Sequence, residues 1–549
     1  MSTSFRSFDF VVVGAGPSAM GLLYGLLEPF KDATTPSFSI AIIERGSGPP
    51  HDSMTQSPGQ WYEAAHKIGS NSVLLIPSAI TGRSMDIPVG RGLGGTSNVN
   101  ACLCTQPLAQ DFDTWPGQWK NKLLQSLKSL EDTLEENQAI HFGIKNMEGV
   151  SSPYSKKGAI EFTAKVPTLV SKDSLGRLVR KNYYDALLEP LLTRYPHLKD
   201  NLSWFRGMEA QRLLLQQRRI IGVQCWNTSD DTIWELHATQ QVVLCTGAIE
   251  TPALLLISGI GKDKNLAGIG RHLKDQVCLA RTYITLPQRK NQQLSTNGVA
   301  ALGRLSIGEN TFQIAIVDGT CHASILPSAL AMVFRRRWNV LVYPALWHRM
   351  SERIYRILKA ILKVVISFIP LKHFLSQYTT TTLLFLMSPR SEGYVDIDQT
   401  NHVSDDVPLM RKNVDVRIDT GYLHDARDIN ALRLGWETCG RMARDLEIFP
   451  NCFYRQSSNF YFDWFQLYCK LFCLPYFHWC GTCMIKTKSN SDWVVDTELR
   501  LRDHEGLSIC DASVIPTMLS CPPALTCAAL GYAFSEKLSP RNETMDRPT

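Results

Sequence analysis

The chain has 549 residues, of which 44% are hydrophobic and 20% are charged, and its formal net charge is +6. A chain of this length can bury more than one core, so we expect two or three lobes. The charge is modest and no basic stripe with interleaved aromatics accompanies it, which argues against nucleic acid as a partner. No apolar run reaches the roughly 18 residues that a membrane span needs.

The cysteine content and the start of the first predicted strand bear on the compartment. The 15 cysteines are odd in number and scattered. The first predicted strand begins near Phe8, which leaves no room for a signal peptide. We therefore expect mostly reduced, buried cysteines and an intracellular, cytoplasmic protein.

The first predicted elements are a strand, a glycine turn and a helix within residues 8–26. The β-branched run at 10–13 ends at Gly14, an apolar helical pattern starts after Gly16, and a second strand at 40–43 ends at Glu44. Gly14 permits the turn, Gly16 lets backbone approach a pyrophosphate, and the small Ala19 lets helix pack on strand. Glu44 is placed to accept hydrogen bonds from a ribose diol. The order is typical of a dinucleotide-binding fingerprint.

Two further glycine blocks follow along the chain. Residues 90–101 read GRGLGGTSNVNA and are followed by DFDTW, which predicts a loop that lies against a ligand. Residues 242–261 again predict strand, turn and helix, with Pro252 near the helix start, where its missing N–H costs nothing. The segment GIGRHLKDQ follows at 268–276.

The middle of the chain predicts a basic amphipathic helix. Within 349–369, basic and apolar residues recur on separate faces, and Pro370 ends the pattern. Such a helix fits a peripheral membrane contact, and equally a surface helix packed on its own core. A second cluster, the aromatic-rich stretch at 460–477, runs directly into His478. An aromatic wall there would favour an apolar or aromatic substrate, although ordinary core has the same composition.

Together the blocks resemble the glucose–methanol–choline (GMC) oxidoreductase family of flavoproteins. The first family signature resembles 90–100 and the second 247–261, while HWCGTCM at 478–484 and the stretch 507–526 resemble its C-terminal block. In the G-x-N-L-x-D-H element, Gln276 stands where the family usually has His. The strand at 388–398 resembles the family's P-x-S-x-G-x-V strand.

The resemblance implies an α/β fold with a Rossmann-like FAD-binding domain and a discontinuous α+β substrate-binding domain built on an antiparallel sheet. The expected segments are an N-terminal FAD part at 1–285, a substrate lobe at 286–470 that contains the basic segment 349–369, and a C-terminal part at 471–549. The cofactor implied is FAD, and no metal is expected. Val99 lies where some members carry the histidine that attaches FAD covalently, so the FAD should be noncovalent. Ala210 matches the position whose backbone meets the adenine. The residues expected to bind FAD are Gly14, Gly16, Ala19, Glu44, Arg45, Gly94, Gly95, Thr96, Asn98, Asn100, Ala101, Ala210, Gly247, Asp511, Ala512 and Pro523.

Of the two catalytic residues that are usual in the family, this chain keeps one. His478 matches the catalytic base in H-x-x-G-T, and the rate should fall at low pH as its imidazole protonates. The second family residue, His or Asn, falls here on Pro522, which has no side-chain donor or acceptor. Three alternatives follow: His478 works alone, another residue supplies the second group, or the flavin serves a non-oxidative lyase or decarboxylase reaction. The C-x-x-C formed by Cys480 and Cys483 lacks the further ligands that a zinc site needs.

The predicted activity is oxidation of an alcohol CH–OH group by hydride transfer to the flavin. O₂ or another acceptor would reoxidise the flavin. A flavin-binding protein without catalysis is the alternative from another class. The identity of the alcohol and the oligomeric state are left open by the sequence.

Overall fold

The computed structural model describes most of the chain outside several loops. The described residues are 3–32, 36–47, 56–58, 74–75, 89–142, 160–163, 166–261, 264–284, 299–317, 379–398, 410–445 and 463–538, with single positions at 357, 360, 361 and 364. The strands are β1 Thr3–Val13, β2 Ile40–Glu44, β3 Leu74–Leu75, β4 Ile140–Phe142, β5 Ile160–Thr163, β6 Pro167–Lys172, β7 Leu178–Arg180, β8 Leu202–Arg206, β9 Met208–Gln216, β10 Arg219–Asn227, β11 Ile233–Leu244, β12 Val277–Ile284, β13 Val299–Ile307, β14 Asn310–Val317, β15 Thr379–Leu386, β16 Tyr394–Asp398, β17 Asp415–Asp419, β18 Leu474–Pro475 and β19 Leu507–Ile509. The α-helices are α1 Pro17–Leu27, α2 Trp119–Glu136, α3 Glu189–Arg194, α4 Gly247–Ile257, α5 Ala426–Asp445, α6 Trp464–Phe472 and α7 Ala524–Leu538.

The first sheet has the order β8-β2-β1-β11-β10-β9, with β19 also paired to β11. Strands β8, β2, β1, β11 and β19 pair in parallel, while β10 pairs antiparallel with β11 on one side and with β9 on the other. The end of β1 is buried on both faces, as its continuous Phe-Val-Val-Val run predicts for a strand covered by helices. The predicted strand–turn–helix–strand order at the N-terminus is confirmed.

Helices α1 and α7 pack closely together on this sheet. A Cβ on Gly21 of α1 would lie 1.9 Å from the carbonyl oxygen of Ala528 in α7, so only glycine allows this approach. The first and last described helices of the chain are therefore neighbours. This contact brings the start of α7 to the same edge of the sheet as the first glycine turn.

The second sheet is antiparallel, with the order β18-β12-β15-β14-β13-β5. Its side chains alternate between two faces because successive residues of a strand point in opposite directions. One face, which includes Phe312, Ile314 and Leu384, packs in a core with Trp436 of α5 and Phe465 of α6. The other face is turned toward the cavity described below. The predicted fold class, a Rossmann-like α/β unit with an antiparallel substrate sheet, is confirmed.

The strands of the second sheet come from all three predicted segments, since β5 and β12 precede residue 285 and β18 follows residue 470. The boundaries at 285 and 470 stay a prediction. Two smaller sheets, β16-β17-β3 and β4-β6-β7, complete the strand pairing. Among the helices that the structure describes, none is both long and apolar enough to cross a membrane.

The position of Pro252 differs from the one that the sequence predicts. It lies inside α4 rather than at its start, so the carbonyl of Ala248 loses the N–H that a helix would normally supply. The hydroxyl of Thr482 donates to that carbonyl at 2.6 Å instead. The proline therefore frees a backbone acceptor, which binds α4 to the segment that carries His478.

Candidate functional site

A cavity of about 480 Å³ extends from the carboxyl ends of β1 and β2 to His478 and the inner face of the second sheet. Fifteen of the eighteen residues that the sequence predicts to bind FAD or to occupy the two catalytic positions line it. They are Gly14, Gly16, Glu44, Arg45, Gly95, Thr96, Asn100, Ala101, Ala210, Gly247, His478, Asp511, Ala512, Pro522 and Pro523. The fold thus brings together residues that are more than 500 positions apart in the chain, such as Gly14 and Pro523.

The first glycine turn forms one end of the cavity. Gly14 has φ +96°, and a Cβ there would lie 2.6 Å from the carbonyl oxygen of Cys245, so the turn requires glycine. Gly16 is the N-cap of α1 and supplies no side-chain cap. The first amides of α1 therefore have no side-chain acceptor of their own, which is the arrangement that binds a phosphate.

Glu44 joins the two glycine blocks. One carboxylate oxygen accepts the backbone N–H of Gly46 at 2.8 Å and of Gly92 at 2.9 Å, and the other accepts that of Ala15 at 3.1 Å. Burial raises the pKa of Glu44, while these hydrogen bonds oppose the rise by stabilising the carboxylate. The side chain therefore both shapes the turn and presents a buried acceptor to the cavity.

A partly buried ion-pair network borders the cavity near Ala210. Arg411 donates to both oxygens of Glu250, from Nε at 2.9 Å and from Nη2 at 3.1 Å, and Arg45 lies 3.4 Å from the same carboxylate. Burial alone would raise the pKa of Glu250, but the charges of Arg411 and Arg45 outweigh it and lower the pKa to about 2. Arg411 was missed by the sequence analysis because no motif marks its region.

Three predicted cofactor residues lie behind the cavity wall. Ala19 is fully buried in α1, and the carbonyl of Ala15 accepts the N–H of Gly94 at 2.8 Å. Asn98 donates to the carbonyl of Leu93 at 2.9 Å and accepts from Asn182 at 2.8 Å. These residues shape the turn and the loop rather than line the cavity.

Asn100 lines the cavity with a fixed side-chain amide. Its oxygen accepts the N–H of Cys102 at 3.0 Å and a guanidinium N–H of Arg180 at 3.1 Å. Because both partners are donors, the amide oxygen must face them. The NH₂ group of Asn100 is consequently the end of the amide that can donate a hydrogen bond to a group other than these two.

His478 is held at its backbone by Asp275. The buried carboxylate of Asp275 accepts the N–H of His478 at 2.7 Å, the N–H of Phe477 at 3.1 Å and the hydroxyl of Tyr422 at 2.5 Å. Burial raises the pKa of Asp275 to about 7 although these donors oppose the rise. Phe477 has φ +63°, a conformation that a bulky residue rarely adopts and that the two N–H bonds to one carboxylate maintain.

The imidazole of His478 lies against one wall of the cavity. Its Nδ1 is 2.7 Å from Oε1 of Gln276, and its ring centroid is 3.9 Å from that of Tyr476. Burial lowers the pKa of His478 to about 3, so the ring is neutral at physiological pH. A neutral imidazole has one nitrogen free to accept a proton.

The C-terminal segment returns to the cavity at Asp511 and Pro522. Asp511 accepts the N–H of Gly247 at 2.9 Å and the hydroxyl of Thr251 at 2.6 Å, which ties it to α4. Asp111, from the DFDTW segment, accepts both the N–H and the hydroxyl of Ser520 at 2.9 and 2.7 Å. The tail of the first signature therefore fixes the segment that leads into Pro522.

The cavity wall formed by the second sheet is almost wholly apolar. Its side chains are Cys278, Ala280, Val299, Ala315, Val317, Thr381, Leu383 and Phe385, with Leu474, Pro475, Tyr476 and Phe477 beside His478. The hydroxyl of Tyr476 donates to Gln313 at 3.4 Å, and its ring stacks on Phe385 at 3.9 Å. Of the predicted aromatic wall at 460–477, the described part places only Tyr476 and Phe477 in the cavity, because Phe465 and Tyr468 of α6 pack in the core with α5.

The two cysteines of the C-x-x-C pair follow His478 closely in the chain. The thiols of Cys480 and Cys483 are buried, and burial raises the pKa of Cys480 to about 12. Within the described ranges no three His, Cys, Asp or Glu side chains are grouped as metal ligands would be. The thirteen described cysteines are all buried, and none of them is in a disulfide bond.

Comparison with known proteins gives the family. The N-terminal GMC oxidoreductase profile matches residues 8–157 and 193–278, and the C-terminal GMC oxidoreductase profile matches 389–531. The chain belongs to the GMC oxidoreductase family. An uncharacterized GMC-type oxidoreductase of Mycobacterium bovis is 24% identical, over 93% of this chain and 95% of its own.

Solved structures of GMC enzymes share the fold. The pyridoxine 4-oxidase of Mesorbium loti has a TM-score of 0.68 at 19% identity, covering 96% of this chain and 98% of that one. A formate oxidase of Aspergillus oryzae has a TM-score of 0.69 at 16% identity, covering 97% of this chain and 98% of that one. At these identities the likeness establishes the fold.

The cavity of this GMC protein fits FAD. The open N-terminus of α1 suits a pyrophosphate, and the buried carboxylate of Glu44 suits a ribose diol. The start of α7, at Ala524, also lines the cavity and turns its positive end toward it. The protein is an FAD-dependent oxidoreductase that acts on a small molecule and needs an electron acceptor.

Proposed function

We propose that this enzyme oxidises the CH–OH group of an apolar or aromatic alcohol, with His478 as the base that accepts the hydroxyl proton. Bound FAD supplies the hydride acceptor for the carbon–hydrogen bond that breaks. The observation that carries the proposal is a neutral imidazole on the wall of a cavity whose second-sheet side is almost wholly apolar. An alcohol is a very weak acid, so a base within hydrogen-bond reach of its hydroxyl lowers the barrier.

The composition of the cavity wall favours an uncharged substrate. Among the described residues on the second-sheet side, the polar groups are limited to His478, Thr381, Cys278 and the Tyr476 hydroxyl, which already donates to Gln313. Burying a charged substrate group there without a partner would be costly. Aliphatic and aromatic surface, in contrast, gains free energy on leaving water for such a wall.

Pro522 leaves His478 without the second polar group that the family pair would supply. Its side chain offers no donor or acceptor to the substrate oxygen. We propose that His478 acts as the only base and that the apolar surface at Pro522 serves to hold the substrate.

Anaerobic reduction of the bound flavin tests this function. We expect uncharged aromatic or aliphatic alcohols to bleach the flavin, and His478→Ala to slow the bleaching by about 10²–10⁴ without loss of FAD. Pro522→Asn should leave the rate unchanged or raise it, because it restores a polar group. A His478→Ala variant that reduces its flavin at the wild-type rate contradicts the assignment. Flavin that no alcohol reduces would favour the non-oxidative alternative.

We propose further that the enzyme touches an anionic membrane surface. Positions 357, 360, 361 and 364 are helical, and Ile357, Ile361 and Val364 are 59%, 53% and 72% exposed. Their spacing of four and three residues puts them on one helix face. The surrounding sequence carries the basic residues Arg349, Arg353, Arg356, Lys359 and Lys363. The rest of the predicted segment 349–369 lies outside the described residues.

Co-sedimentation with vesicles tests the membrane contact. Wild-type protein should bind vesicles that contain phosphatidylserine at low salt, and changing Arg353, Arg356 and Lys363 to Glu should release it with FAD retained, since each basic residue contributes about 1 kcal/mol. Leu175→Ser, at another exposed apolar residue, is the matched control and should not change binding. Wild-type protein that stays in the supernatant refutes the proposal.

A further inference from the structure

Gln276 occupies a buried position directly behind the base. Its side chain is fully buried, and its Oε1 lies 2.7 Å from Nδ1 of His478. Its Nε2 donates to the carbonyl of Leu519 at 2.6 Å, and the carbonyl of Met387 lies 3.5 Å away on the same side. The amide thus contacts the imidazole at one end and two backbone carbonyls at the other.

These partners permit one orientation of the amide. A carbonyl oxygen only accepts hydrogen bonds, so the NH₂ end of Gln276 must face Leu519 and Met387. The oxygen of the amide then faces His478, and since it also only accepts, Nδ1 of the imidazole must carry the hydrogen. A neutral imidazole has one N–H, which leaves Nε2 with the lone pair.

We propose that Gln276 is a positioning residue that holds His478 in the Nδ1–H tautomer, so that Nε2 is the nitrogen that accepts a proton from a ligand in the cavity. This inference rests on the proposed function for the identity of that ligand, an alcohol. The tautomer itself follows from the hydrogen bonds of the protein alone.

The choice of glutamine has a chemical consequence. A histidine at this position could be a donor, an acceptor or a cation, so its contact with Nδ1 would depend on its own tautomer and on pH. An amide does not titrate, and its orientation here is fixed by Leu519 and Met387. Leu519 precedes the segment that reaches Pro522, and Met387 follows β15, so Gln276 also links the imidazole to two walls of the cavity.

Nuclear magnetic resonance of the FAD-loaded enzyme, labelled with ¹⁵N-histidine, tests the tautomer without any substrate. His478→Ala assigns the signal. We expect the Nδ1–H pattern in wild type between about pH 5 and 8. Gln276→Met, which keeps the length but has no acceptor oxygen, should lose that pattern. Gln276→Glu, which restores an oxygen at Nδ1 while its second oxygen, when protonated, donates to Leu519, should recover it.

Gln224→Met is the matched control, since Gln224 bonds to Glu235 between β10 and β11 and does not line the cavity. It should leave the His478 signal unchanged. An Nε2–H pattern in wild type overturns the proposal. An unchanged Nδ1–H pattern in a Gln276→Met enzyme that still binds FAD overturns it as well.

Kinetics give a second readout that separates this proposal from the proposed function. With an alcohol that bleaches the flavin, Gln276→Met should slow reduction by roughly 10- to 100-fold, the shift that loss of one buried hydrogen bond produces, and Gln276→Glu should recover most of the rate. A Gln276→Met enzyme that loses the tautomer but keeps the wild-type rate refutes the catalytic role of the tautomer. If no alcohol reduces the wild-type flavin, the proposed function fails while the tautomer result still decides the role of Gln276.

Discussion

Replacing Glu44 by glutamine separates two roles of one carboxylate, the closure of the glycine loops and the predicted contact with the ribose. The oxygen facing Gly46 and Gly92 accepts two N–H groups, and the oxygen facing Ala15 accepts one. A glutamine can place its oxygen on the side with two donors. Its NH₂ then faces the N–H of Ala15, so one charge-assisted hydrogen bond is lost and two donors face each other.

In Glu44→Gln, loss of the hydrogen bond from Ala15 should lower the free energy of unfolding of the flavin-free protein by about 1.5–3 kcal/mol, the contribution of one hydrogen bond to a charged group. Glu44→Ala leaves all three N–H groups without this acceptor, and we expect about 3–6 kcal/mol because water can enter the gap and replace part of the bonding. Urea unfolding of deflavinated protein measures both variants. For the ribose role, loss of a charged acceptor should raise the FAD dissociation constant by about 10- to 100-fold for either variant.

The control is Glu28→Gln, which removes a partly exposed ion pair with Lys31 and should change stability by less than about 1 kcal/mol. If flavin-free Glu44→Ala protein unfolds at the wild-type urea concentration, the three backbone contacts do not stabilise the glycine loops. If only FAD binding changes, the carboxylate acts on the cofactor alone.

Four further outcomes are expected. Because burial lowers the pKa of His478 to about 3, below its ordinary value of 6.5, protonation of the imidazole should not lower the rate of flavin reduction between about pH 8 and 5. Asp275, whose pKa burial raises to about 7, also titrates in this range, so the test uses the Asp275→Asn enzyme, in which a fall centred near 6.5 would contradict the burial argument. By the same shift the unfolded chain binds an extra proton at His478 between its two pKa values, so the free energy of unfolding of wild type relative to His478→Ala, which lacks this group, should decrease as the pH falls through that interval. Acid precipitation should release FAD into the supernatant, because Val99 has no nucleophile for a covalent link, and flavin that stays in the pellet would contradict this. Asp275→Asn removes the charge that holds the N–H groups of Phe477 and His478 and should slow reduction by about 10-fold or more while FAD affinity is kept; equal rates in stopped-flow reduction would show that this carboxylate does not position the base.

The Gly270–Gln276 element shows how far a motif can be interpreted without the fold. Its His272, at the position of the family Asn, has φ +58°, a conformation that Asn and His adopt more readily than most residues. The ring of His272 then lies 2.6 Å from Glu392 and 2.5 Å from Asp492, which the sequence places more than 100 residues away. The departure at Gln276 was visible in the sequence, but its contact with His478 was not.

The positions of Pro252 and of the aromatic stretch at 460–477 were predicted from the local sequence pattern alone. Only the tertiary structure showed where these residues lie and what they contact. A proline inside a helix is unfavourable locally, and only the hydroxyl of Thr482, 230 positions later, offsets the lost hydrogen bond. Aromatic side chains of α6 pack against α5 because the orientation of α6 points them into the core that the two helices share. Composition predicts that such residues are buried, but not against which partner.

The sequence by itself determined the family and the FAD and predicted a candidate base, because glycine turns, N-cap amides and the H-x-x-G-T spacing are local requirements that consecutive residues meet. Only the tertiary structure decided which groups meet at the cavity. Arg411 with Glu250, Asp275 with the backbone of His478, and Gln276 with its ring are contacts between segments 161 to 203 residues apart. Such contacts depend on how two sheets and their helices pack, and each is specified by burial and hydrogen-bond satisfaction over the whole molecule rather than by neighbours in the chain.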